Sequence, residues 1–206
     1  MASVNENIAT VGEAFAAAAL VLTSKKEVDK LSDEEFQNHI TMAPGVAILY
    51  KHIRNRMSAK QFSECVSKAP GAALRNNHVL DLLSPNDLDA CIHKCPEVAL
   101  AKSEVLNRIS TKQFLNLVER APRHALRNEI AFNKLFSDQI DYCLAIASDE
   151  ALEHRHVTEK LTEEQMSMCV LANPSRLPKT TGLRMQIGDE YYALITDGLV
   201  NPPNTA

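Results

Sequence analysis

The chain has 206 residues, 45% hydrophobic and 23% charged, with 22 Lys+Arg against 26 Asp+Glu and a formal net charge of −4. This balance fits a globular chain of one or two domains and argues against a dedicated nucleic-acid binder with a broad basic field. Six glycines and no tryptophan argue against a glycine-turned all-β fold and against an aromatic stacking platform.

The first patterns along the chain are two capping boxes, Thr10-x-x-Glu13 and Ser24-x-x-Glu27. In such a box the hydroxyl accepts from a free backbone N–H of the first turn and the longer side chain reaches back. They predict helices near 11–23 and 25–31, so residues 1–30 read as an N-terminal helical cap. The longest apolar run, Ala14 to Leu22, falls well short of the roughly 18 residues that span a bilayer. Glu6 and Glu13 give it the wrong charge for a secretion signal, and it lacks the basic face of an amphipathic anchor. No membrane contact is expected. Five cysteines, an odd number, imply no disulfide framework, and the expected setting is reduced and cytoplasmic.

From Leu31 the sequence repeats with a period of 26, in blocks that open at Leu31, Met57, Leu83, Ile109, Leu135 and Leu161. The second position is Ser32, Ser58, Ser84, Ser110, Phe136 and Thr162, and the fifth is Glu35, Gln61, Asp87, Gln113, Gln139 and Gln165. Together they form a capping box that starts a helix in most blocks. Apolar positions 6, 9, 10 and 13 follow, one face of an α-helix turned inward. Position 14 is Pro44, Pro70, Pro96, Pro122, Ser148 and Pro174. Proline disfavours helical geometry at the residue before it and suits the first turn of a new helix. Alanine at position 17 (Ala47, Ala73, Ala99, Ala125, Ala151) anchors a second, shorter helix. Each block therefore reads as a long helix, a proline corner and a shorter helical return. One such unit cannot bury its apolar face alone, so units must stack. The prediction is an all-α chain, an α-solenoid of about six units over residues 31–178.

After Pro178 the composition changes. Leu183–Ile187 and Glu190–Ile195 flank Gly188-Asp189, the pattern of a β-hairpin with a two-residue loop. Residues 179–206 are expected to form a C-terminal hairpin and tail, serving either as a cap on the last unit or as a strand for a partner.

Few residues carry a chemical signal. Cys65, Cys91, Cys143 and Cys169 all fall at position 9, on the inward face, where cysteine acts as a small hydrophobe. That placement argues against a zinc site at Cys91 and Cys95. His52, His78 and His156 share position 22, read as a half-exposed position that tolerates polar residues. No nucleophile elbow, phosphate loop or H-E-x-x-H motif occurs, so no catalytic residue, metal or cofactor is expected. Charge, however, is uneven. Positions 1–13 carry 11 acidic and 5 basic residues over six blocks, and positions 14–26 carry 8 acidic and 11 basic over five. The basic half holds Arg75-Asn76 and Arg127-Asn128 at positions 19–20, with Tyr50, Lys102 and His154 also at position 20. These seven residues are the expected partner-binding ridge. It suits an acidic protein surface or, as the alternative, a phosphate backbone.

The fullest copy of the motif, Leu-Ser-x-x-Gln-Phe-x-x-Cys-Val-x-x-Ala-Pro-x-x-Ala-Leu in the notation of residues 57–74 (Met57 opening it here), resembles helical repeats of the leucine-rich-repeat-variant and HEAT-like kind. It is also similar to repeats in uncharacterised bacterial and phage proteins. The resemblance implies a scaffold or binding role. The regular array with variable residues on its return segments leads to the expectation of another protein as partner.

Overall fold

The computed structural model describes residues 2–173, with side chains from residue 12 onward. In chain order the helices are α1 (Ala2–Thr23), α2 (Lys25–Val28), α3 (Asp33–Met42), α4 (Pro44–Ala47), α5 (Lys51–Arg54), α6 (Ala59–Lys68), α7 (Pro70–Arg75), α8 (Asn77–Leu80) and α9 (Pro85–Lys94). They continue with α10 (Pro96–Leu100), α11 (Ser103–Leu106), α12 (Thr111–Arg120), α13 (Pro122–Arg127), α14 (Glu129–Phe132), α15 (Ser137–Ala151), α16 (Arg155–Thr158) and α17 (Glu163–Ala172). Among the described residues there is no strand, and the all-α class holds. The expected hairpin lies outside the described residues. The chain splits into two compact units at Val105/Leu106.

Capping sets the start of each long helix. Ser32, Ser58, Ser110 and Thr162 each accept from the backbone N–H three residues on, and Glu35, Gln61, Gln113 and Gln165 accept in return from the cap residue's own N–H. Phe136 has no hydroxyl, so only half of this exchange survives, with its N–H donating to Gln139 Oε1 at 2.9 Å. The long helices start at Asp33, Ala59, Pro85, Thr111, Ser137 and Glu163, each one full sequence period after the last.

The residue at position 13 turns the chain. Ala43, Ala69, Cys95 and Ala121 sit at φ between −125° and −142° and ψ between 54° and 63°, outside the helical region. Proline follows each of them and opens the next helix. Ala147 precedes Ser148 instead, yet it keeps the same turn at φ −139°, ψ 43° inside α15. The corner is therefore a property of packing, and proline reinforces it. Pro122→Ser is expected to keep the corner and to cost only about 0.4–1 kcal/mol through the freer unfolded chain. Urea unfolding together with unchanged helical circular dichroism checks this.

The return is two helices, not one. After the second helix, a third and very short one occupies positions 21–24 in α5, α8, α11, α14 and α16. A single turn cannot hold a helix alone. Packing and caps supply the stability: the buried residues include Ile53, Val79, Ala131 and Val157. Asn76 and Asn128 cap α8 and α14 by accepting from the N–H of Val79 and Ala131 at 3.1 and 2.9 Å.

The N-terminal segment differs from expectation in three ways. α1 runs from Ala2, so Thr10 lies inside a helix and not at its start. α2 begins one period before α5, and its cap Ser24 stands one period before Tyr50, the cap of α5. The repeat thus reaches back beyond residue 31, and the expected boundary at 30/31 falls within a helical period already under way. α2 also ends at Val28, short of the expected 25–31.

Within residues 1–105, α1 packs on α3 and α4, α4 on α6, α6 on α9, and α7 on α9 and α10. Within residues 106–206, α13 packs on α15, α12 on α15, and α15 on α17. The position-17 alanines and their neighbours Ile48, Leu74, Leu100, Leu126 and Leu152 are all buried. A side chain as small as alanine at the tightest point lets neighbouring helices approach closely.

Candidate interaction surface

The seven ridge residues share one register, at the end of the second helix and the start of the third. Tyr50 is exposed at the N-terminus of α5, its ring centroid 5.6 Å from that of His52. Arg75 is exposed as the last residue of α7, and its carbonyl accepts from Lys102 Nζ at 2.8 Å. Asn76 and Asn128 are helix caps, so their side-chain oxygens are engaged within the fold. Lys102 is half-buried, immediately before α11. Position 20 thus stands at the start of the third helix, where Asn76 and Asn128 cap with their side chains while Tyr50 and His154 make no side-chain cap bond.

Arg127 and His154 meet at a carboxylate that sequence reasoning did not single out. Glu150 lies in α15 just past the Ala147 corner, with its side chain only 3% exposed. Arg127 donates through Nε to Glu150 Oε1 at 2.5 Å and through Nη2 to Oε2 at 2.9 Å. Arg123 reaches Oε2 at 3.2 Å and Asp149 at 2.7 Å. His154 Nε2 is 2.9 Å from Oε1, and because a carboxylate only accepts, that nitrogen carries the proton. Burial alone would raise the Glu150 carboxyl. Hydrogen bonds from Arg127, His154 and Arg123 outweigh it and hold the group down at about 2. The two acids balance the two arginines, so this cluster clamps α13 to α15 and leaves little net charge for a ligand. One signal was present in the sequence. Position 16 reads Val46, Ala72, Val98 and His124 before Glu150, and an acid in that column needs cations one period away, where Arg123 and Arg127 stand.

Other polar contacts join successive units across 24 residues. Gln61 Nε2 donates to Gln37, Gln165 Nε2 to Asp141, and Ser63 Oγ to Asp87, each at 2.6 Å, linking positions 5 and 7 of successive units. The capping glutamines Gln61 and Gln165 therefore use both ends of their amides. Arg56 spreads over the Val28 and Leu31 carbonyls at 2.6 and 2.7 Å and lies 4.5 Å over the Phe36 ring. Lys134 caps the Leu106 carbonyl at 2.7 Å. Cations at position 26 thus satisfy carbonyls at the end of the preceding short helix, where the helix dipole favours them.

The histidine column is more specific than expected. His52 Nε2 lies 3.2 Å from the Leu22 carbonyl and His156 Nε2 lies 2.8 Å from the Leu126 carbonyl, each reaching back past a whole period. His78 is exposed. Cys65, Cys91, Cys143 and Cys169 are buried, as position 9 requires. Burial pushes three of these thiols up to about 11 and Cys143 up to about 12, which keeps them protonated and poorly nucleophilic at neutral pH. Among the described residues, no three His, Cys, Asp or Glu come together as a metal-holding group, and no helix is long and apolar enough to cross a membrane.

No family model, curated protein or solved structure matches the chain. The resemblance to helical repeats of the leucine-rich-repeat-variant and HEAT-like kind rests on its own motif.

Proposed function

We propose that the repeating units form an α-solenoid and that the chain serves as a non-catalytic scaffold for protein–protein contact, an adaptor or inhibitor acting through its repeat surface. One observation supports this most. Most buried columns keep their character from unit to unit, as alanine does at position 17, whereas several exposed columns outside the helix caps do not. Exposed position 12, for example, runs Met42, Lys68, Lys94, Arg120, Ile146 and Ala172. A frame held constant beneath a varied surface suits recognition of a partner. Tyr50 and Arg75 are the ridge residues with the most to offer, since both are exposed. The alternative, contact with a phosphate backbone through Arg75 and Arg127, draws less support because Arg127 is committed to Glu150.

The test compares the tagged chain with a Tyr50→Ala/Arg75→Glu variant in pull-downs from the native host lysate, with and without nuclease. The expected result is a protein partner that survives nuclease and is lost with the variant. Material lost on nuclease treatment would shift the reading to nucleic acid, and its capture should then fall steeply with salt.

A further inference from the structure

Two imidazoles stand side by side around Arg155. The ring centroids of His154 and His156 are 5.5 Å apart, with the planes 31° from parallel. The spacing comes from the fold. Tyr50 and His52, in the same two positions of another unit, lie 5.6 Å apart. Only the residue types differ, and beside Arg155 both rings can ligate a metal. Imidazole nitrogen suits borderline divalent ions, zinc among them.

Hydrogen bonds fix which nitrogen is available. His154 Nε2 donates to Glu150 Oε1 at 2.9 Å, and His156 Nε2 donates to the Leu126 carbonyl at 2.8 Å. Neither acceptor can donate, so each neutral ring carries its proton on Nε2 and a lone pair on Nδ1. Among the described residues, neither Nδ1 has a hydrogen-bond partner. A carboxylate or backbone carbonyl on the far nitrogen is the usual support of a metal-bound histidine, because it sets the tautomer and makes the ligating nitrogen more basic. Two imidazoles on one zinc ion, at about 2.0–2.1 Å per Zn–N bond, place their ring centroids roughly 5 Å apart, close to the spacing found between these rings. The His154 side chain is 28% exposed and His156 is half-buried, so water has access to the pair. We propose that Nδ1 of His154 and Nδ1 of His156 together bind one Zn²⁺ ion, with water filling its remaining positions.

The experiment titrates zinc chloride calorimetrically into the tag-free full chain and into two variants. Their replacements already occur in the same columns of the repeat: His154→Asn, as at Asn76 and Asn128, and His156→Ile, as at Ile130. The chain is expected to bind one zinc ion per molecule. Each variant should bind it at least about tenfold more weakly, with helical circular dichroism unchanged. In long-range proton–nitrogen spectra, zinc should shift the Nδ1 signals of both histidines and leave their Nε2 protonated. Absence of saturable binding would overturn the proposal. So would binding that either substitution leaves unchanged, or ligation through Nε2.

Discussion

Glu150→Gln is expected to lower the unfolding free energy at pH 7 by about 1–3 kcal/mol, because it removes the charge that Arg127, Arg123 and His154 hold. The value stays modest because Arg127 and Arg123 are themselves 50% and 44% exposed and can return to water. The sign of the pH dependence follows from the carboxyl. Its pKa drops from 4.5 to about 2 on folding, so its contribution is fully present above pH 4.5. It is lost as pH falls through the interval down to about 2. Glu150→Val tests the cause more sharply, since valine stands at this position in two other units, as Val46 and Val98. Replacing a buried ionic group with a fitting apolar one is often close to neutral. Glu150→Val should therefore be more stable than Glu150→Gln, and its unfolding free energy should lose the Glu150 step between pH 4.5 and 2. Chemical denaturation across that range reads both effects. Equal destabilisation by Val and Gln would show that the site gains nothing from an apolar side chain and that loss of the carboxylate alone sets the cost.

Phe132→Ala is expected to cost about 3–5 kcal/mol. Phe132 is among the largest buried side chains of the described residues and closes α14, where its ring meets His156 edge-on at 5.8 Å between centroids. Alanine would leave a cavity beneath a single-turn helix, which has little means of holding its shape unaided. Ile130, two positions earlier on the same helix, is exposed, and Ile130→Ala should change stability by no more than about 0.5 kcal/mol. Urea midpoints for the two variants compare burial directly within one turn of helix.

The regular part of this architecture is legible in the sequence because capping and burial leave local, periodic marks. Ser58 with Gln61 announces a helix start, Pro70 announces a corner, and Ala73-Leu74 announces a buried contact. Each of these depends on residues only a few positions apart. The third helix leaves a fainter mark, one apolar column at position 23 (Ile53, Val79, Val105, Ala131, Val157), because a single turn holds too few apolar positions to show a helical period. Its cap, Asn76 or Asn128, resembles an ordinary surface amide. The Glu150 cluster is hidden for the opposite reason. Its arginine partners stand about one period away in sequence, and a charge in an apolar column declares its purpose only once that separation becomes contact. At Ala147 the sequence points to proline as the cause of a corner that forms without it.

The side-chain bridges described above join residues roughly one period apart, from Arg127–Glu150 to His52–Leu22. Contacts of such short reach make loop closure cheap, and chains dominated by them fold quickly. Under tension, the same property predicts yielding in steps. Each step would release a length set by one period, and a chain pulled from its ends would give a sawtooth of small peaks in place of one abrupt rupture.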